Sequence, residues 1–121
     1  MNLLYVFIGG GFGSVFRFAI SEVVKSNFKG VFPLATFISN ALSCIVLSLV
    51  FNYLFTKGEE SNMLKLLLIT GFCGGFSTFS TFSYETVELI KSGNLFVAIT
   101  NVLISVITCL FMVYFISKNT N

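Results

Sequence analysis

The stretch GFCGGFSTFSTFSYE, Gly71 to Glu85, breaks an otherwise apolar run with three glycines and a repeating serine, threonine and phenylalanine rhythm. The run around it, residues 63–90, is long enough to cross a hydrocarbon layer of ~30 Å. Glycine and hydroxyl side chains weaken helical hydrogen bonding locally. A helix broken at membrane depth is stable where its freed backbone faces protein or an aqueous path. The expected form of this segment is a helix interrupted between Gly74 and Thr78. Carbonyls released at such a break suit a small cation, and released amides favour an anion.

Working outward, three further apolar stretches cover residues 3–21, 33–55 and 95–117, and with 63–90 they predict an all-α integral membrane protein of four transmembrane helices in a single domain. Composition agrees: 55% of the 121 residues are hydrophobic and 10% charged, against ~25% charged in ordinary soluble domains. A soluble globule of this size has too little interior for the 16 phenylalanines. The first stretch has neither a basic region before it nor a small-residue cleavage site followed by a polar chain, so it is expected to be retained. Pro33 suits the first turn of the second helix. The connectors are polar, the most so around Gly58, Glu59 and Glu60.

With no histidine and five scattered carboxylates, the chain has little from which to assemble a catalytic metal site or a nucleophile and base. Enzymatic chemistry is therefore not expected, and the absence of any run of like charges argues against nucleic acid as a partner. Cys44, Cys73 and Cys109 each lie in an apolar stretch without metal or redox spacing and read as reduced packing residues. Lys57, Lys65 and Lys118 fall on one side of the expected bilayer, Lys25, Lys29 and Lys91 on the other. Insertion is oriented chiefly by an imbalance of such charges, so an even tally predicts insertion both ways round and pairing of opposed copies.

In the first helix Gly9 and Gly13, and Gly10 and Ser14, form small-xxx-small pairs suited to close helix packing. Arg17 lies one turn on, where snorkelling, a structural ion pair or an anion-attracting vestibule would each account for it. Thr36, Asn40 and Ser43 share one face of the second helix, and Asn101, Ser105 and Thr108 repeat the offsets in the fourth. The Asn40 amide has two donors able to replace water around an anion, though bonding between helices explains it equally. Phe79 and Phe82 share a face after the break, and their ring edges carry partial positive charge. Such edges hold a small anion without a deep trap, while packing is the simpler role. Glu85 and Glu88 follow near a helix end, where proton coupling, solvation or pairing with a basic residue are open.

These residues resemble the small fluoride channel family called Fluc or CrcB. The family's glycine-glycine-x-threonine-threonine-phenylalanine-serine-threonine-phenylalanine pattern is matched from Gly74 to Phe82, with Ser77 in place of threonine, and the glycine-rich first helix ending in Arg17 and the second-helix Asn40 also match. The resemblance implies an antiparallel, dual-topology homodimer with two pores in the cell membrane, the plasma membrane of a bacterium. It implies that Phe79 and Phe82 line the pore, that Asn40, Ser80, Thr81 and Ser105 contact the ion or its track, and that Glu85 lies beside it. It also implies a structural Na+ at the dimer centre, held by backbone carbonyls at Gly74 and Ser77. Ser14, Phe18, Ala35 and Ser43 depart from the family's usual residues, and the fourth helix matches least, which leaves pairing with a dissimilar homologue open.

The expected activity is passive export of cytoplasmic fluoride down its electrochemical gradient, relieving fluoride toxicity. A proton-coupled exporter of the small multidrug resistance type has similar length and topology. It needs a carboxylate inside the first helix, and here no acid precedes Glu22. A non-conducting subunit would explain the packing glycines but not the hydroxyl-rich third segment.

Overall fold

A computed structural model describes residues 1–56 and 62–118. Among them there is no strand, and four helical spans are long and apolar enough to cross a membrane: Asn2–Asn27, Leu34–Thr56, Asn62–Lys91 and Leu95–Ser117. Lys57, Glu59 and Glu60 of the second connector lie outside the described residues.

The first span runs past Ser21 to Asn27 because the residues that follow, although polar in part, continue the backbone ladder. Lys25 sits in its last turn, where the negative end of the helix dipole favours a cation. Pro33 stands just before the second span, its carbonyl accepting from the Phe37 amide. The third span ends in a Schellman turn, in which the Asn94 amide donates to the Leu89 carbonyl and the Gly93 amide to that of Ile90. Gly93 has φ 87°, a conformation open chiefly to glycine. The chain reverses tightly there into the fourth span.

Neighbouring ends set the topology. The Asn62 amide reaches the Asn2 side-chain carbonyl at 3.5 Å, and the Asn52 amide donates to the Ile116 carbonyl at 2.6 Å. The first and third spans therefore begin at one end of the bundle, and the second and fourth finish together.

The first and third spans touch backbone to backbone. A Cβ built on Gly9 would meet the Leu67 carbonyl oxygen at 2.0 Å, one on Gly13 the Phe72 oxygen at 2.2 Å, and one on Gly75 the Gly10 oxygen at 2.5 Å. The small residues of the first span thus pack against the third, Gly9 on Gly71 and Gly10 on Gly75, a pairing the local sequence had not connected. Along this contact, Lys65–Cys73 is wound as a π-helix, more open than an α-helix. The wider winding shifts the phase of the residues that follow, and features of this kind recur at functional sites.

Polarity is arranged inversely to that of a soluble domain. Thr36, Ser39, Ser43, Ser48, Asn101 and Ser105 are buried, whereas Leu3, Phe7, Phe96 and Leu110 stand out from the bundle. Hydroxyls and amides act as glue between helices when the surroundings are as apolar as the side chains. Lipid tails cover the exterior apolar surface.

Gly13→Ala is expected to destabilise the bundle by about 3 kcal/mol, the upper range for overpacking, because the obstacle is fixed backbone. Gly11→Ala, whose added carbon meets nothing within 4 Å, serves as the matched control. Thermal unfolding followed by size-exclusion chromatography in detergent checks this, with only the first variant losing its monodisperse peak at lower temperature.

Candidate functional site

Between the two arms of the third span, Ser77 (φ −88°, ψ 158°) and Thr78 (φ −152°, ψ 116°) have extended backbones. Helical geometry persists through Gly74–Phe76 and resumes at Phe79–Lys91. Backbone polar groups at this depth have no bulk water, so each needs a specific partner. Asn40 supplies two: its side-chain oxygen accepts from the Thr78 amide at 2.8 Å, and its side-chain nitrogen donates to the Thr78 carbonyl at 3.3 Å. The Cys73 carbonyl accepts from the Ser77 amide at 3.0 Å, the Ser77 hydroxyl at 2.8 Å and the Ser43 hydroxyl at 3.0 Å. Thr78 Oγ1 accepts from the Thr81 amide at 3.1 Å and so caps the arm that follows.

These substitutions release particular carbonyls. The Thr78 amide, which a continuous helix would direct at the Gly74 carbonyl, goes to Asn40. The Thr81 amide, due to the Ser77 carbonyl, goes to Thr78 Oγ1. Arg17 Nε donates to the Gly75 carbonyl at 3.0 Å, so the guanidinium is tied to the third span through its backbone.

One cavity of about 310 Å³ is lined by Asn40, Cys44, Ser77, Thr78, Phe79, Phe82, Ser105, Val106, Cys109 and Leu110. The Phe79 and Phe82 rings lie 5.7 Å apart with planes inclined by 38°. Phe82 is buried, but Phe79 is 77% exposed. Ser105 donates to the Asn101 side-chain oxygen at 3.2 Å, and the Asn101 nitrogen donates to Thr86 Oγ1 at 3.0 Å. The fourth-span stripe is thus fastened to the third span.

A second cavity, of about 130 Å³, is lined by Arg17, Phe18, Ser21, Ala35, Thr36, Ser39, Thr78, Thr81 and Glu85. Buried Ser39 Oγ and Glu85 Oε1 have no hydrogen-bond partner among the described residues, so both retain capacity for a small polar guest.

Against this geometry, the family described as CrcB-like protein, Camphor Resistance (CrcB), matches residues 4–116. The chain belongs to the CrcB family. It is 39% identical to the fluoride-specific ion channel FluC of Flavobacterium psychrophilum over 105 residues, 87% of this chain and 85% of that relative. It is 42% identical to the FluC of Methanocaldococcus jannaschii, covering 94% and 90% of the two chains. The FluC of Pyrococcus abyssi is 40% identical, with 94% of each chain covered.

In this CrcB chain the larger cavity gathers Asn40, Ser77, Phe79, Phe82 and Ser105. Thr81 and Glu85 face the smaller cavity with Arg17. Ser80 is exposed, its hydroxyl 3.3 Å from Thr78 Oγ1, and it lines neither cavity. Gly74 lies on a separate hollow with Ser43, Cys73 and Ser77. Sequence reasoning missed Thr78, Cys44 and Cys109 as lining residues. The signal for the cysteines was present, since Cys44 follows Asn40 and Cys109 follows Ser105 by one helical turn.

Replacing Asn40 with leucine leaves both Thr78 backbone groups without their partner, at about 1–3 kcal/mol for each unsatisfied group. Hydrogen exchange at the Thr78 amide is therefore expected to accelerate by about tenfold or more, since 1.36 kcal/mol corresponds to tenfold. Thr78→Val keeps that clasp but removes the cap of the following arm, at about 1 kcal/mol, so its faster exchange should centre on the Thr81 amide.

Proposed function

We propose that this chain forms a passive, fluoride-selective channel that lets cytoplasmic fluoride leave down its electrochemical gradient and so limits fluoride toxicity. The observation that carries the reading is the larger cavity, where the Asn40 amide, the paired Phe79 and Phe82 rings and the Ser105 hydroxyl meet with no formally charged side chain on the wall. Partial positive ring edges and the second N–H of the Asn40 amide replace part of an anion's hydration, the Ser105 proton being directed at Asn101, and the absence of a fixed cation on that wall keeps binding weak enough for release. The relatives named fluoride-specific ion channels support the choice of ion. Conduction of this kind makes and breaks no covalent bond and is not enzymatic.

The working unit is a dual-topology dimer of opposed copies in the cell membrane. The exposed Phe79 ring and the even lysine tally support it, because a pathway on the outer face of one chain needs a second wall. Lys25, Lys29, Lys65, Lys91 and Lys118 lie among the described residues, and Lys57 outside them. A dissimilar homologue is the alternative occupant of the second position.

A structural Na+ fits the carbonyls of Gly74 and Ser77. Both are diverted from the usual helical ladder, both belong to the same hollow, and unwound backbone carbonyls are suitable ligands for this ion. When bound, it would supply a fixed positive charge at these carbonyls. Arg17, Thr81 and Glu85 form a polar vestibule beside the pathway, with Ser80 on its exposed approach.

Purified protein in liposomes should release fluoride only when a potassium ionophore shunts the membrane potential, which separates uncoupled flow from proton-coupled export. Phe82→Ile, which removes the ring, and Asn40→Asp, which places an anion in the path, should each slow release by about tenfold or more, a barrier increase of at least 1.36 kcal/mol. Release at the parent rate in both variants would overturn the pathway.

A further inference from the structure

The cavity that gathers Asn40, Phe79 and Phe82 also contains two thiols, from spans distant in sequence. Cys44 comes from the second span and Cys109 from the fourth, both are free and partly accessible, and both line the same wall. The second and fourth spans that carry them are packed against each other. Cys73 differs: it is buried and is not part of that wall, it borders the hollow with Gly74 that Cys44 also reaches, and its carbonyl accepts from the Ser43 hydroxyl.

We propose that Cys44 and Cys109 form a bidentate thiol site for a soft, thiophilic metal ion of the copper(I), silver(I) and mercury(II) type, and that occupancy of this site closes the cavity to anions. The chemistry follows from the donor set. Two thiolates satisfy a d10 ion that accepts two-coordinate ligation, and soft sulfur selects such ions over the hard cations suited to backbone carbonyls. Binding breaks two S–H bonds, forms two sulfur–metal bonds and releases two protons to water, with no change of oxidation state. Both thiols open on one cavity between packed spans, so chelation joins side chains that already share a wall. Asn40 precedes Cys44 by one turn and Ser105 precedes Cys109 by one turn, which sets the bridged metal beside the pathway donors rather than on the lipid face.

Metal chelation stands on the thiol pair alone, whereas closure rests on the channel reading, and the experiment separates them. Mercury(II) is titrated into the purified Cys73→Ser protein, and remaining thiols are counted with a chromogenic disulfide reagent in detergent. The expected result is that one mercury ion protects both remaining thiols, with an ultraviolet mercury–thiolate band that saturates at that stoichiometry. The further variants Cys44→Ser and Cys109→Ser should each lose the bridged band. Loss of only one thiol per mercury ion, or a band unchanged by either substitution, overturns the site.

In liposomes, fluoride release by the Cys73→Ser protein should fall by about tenfold on metal addition, equivalent to 1.36 kcal/mol of barrier, and recover with dithiothreitol. In the Cys73→Ser protein that also carries Cys44→Ser and Cys109→Ser, metal addition should leave release at that variant's own metal-free rate. Bridging without a fall in release overturns closure. Bridging in a protein that releases no fluoride before metal is added overturns the channel reading and leaves the chelation site standing.

Discussion

The paired hydrogen bonds between the Asn40 side chain and the Thr78 backbone are the interaction on which the site depends. In a bilayer an extended residue has no bulk solvent to satisfy its amide and carbonyl, so the interruption at Ser77 and Thr78 exists only because another span supplies a donor and an acceptor in the right places. One asparagine does both. Its amide substitutes for the helical partners that Thr78 forgoes, and the cost of leaving either group bare explains why the side chain belongs at this depth. The Ser43 and Ser77 hydroxyls contribute to the same end by converging on the Cys73 carbonyl.

That clasp is useful only because the backbone is held from the other side. The first span has no side chain at Gly9 and Gly13, and the third none at Gly71 and Gly75, so the two backbones meet directly and Arg17 reaches the Gly75 carbonyl. The open winding of Lys65–Cys73 changes the phase of the segment before the interruption, and the cap at Thr78 restarts the helix after it. Between these two constraints the phenyl rings of Phe79 and Phe82 are turned into the cavity shared with the second and fourth spans. The chemistry of the wall thus follows from hydrogen bonds made several residues away.

Much of this was legible from residue type and spacing. Long apolar stretches separated by polar connectors specify the spans, and the residues from Gly74 to Phe82 specify where regular helix is hardest to maintain. Asn40 and Ser105 were readable as members of polar stripes. The partners were not: that Asn40 would serve Thr78 and Ser43 the Cys73 carbonyl depends on the rotation of one span against another, which a stripe on a single helix does not encode. The end of the first span was also hidden, since Glu22 to Asn27 are polar in part yet sustain helical bonds. The expected interruption from Gly74 to Thr78 narrows to the extended pair Ser77 and Thr78, because Gly74–Phe76 remains helical. Cys44 and Cys109 looked like separate packing residues, and only tertiary proximity joins them.

The central claim, that this wall passes fluoride itself without a coupled proton, is tested most directly by the reversal potential across a planar bilayer containing the purified protein. With unequal fluoride on the two sides, symmetric sodium, and chloride as the balancing anion, the account predicts a potential that follows the fluoride gradient and is unmoved by an imposed pH difference. A potential set by chloride, or one that shifts with the proton gradient, would contradict it.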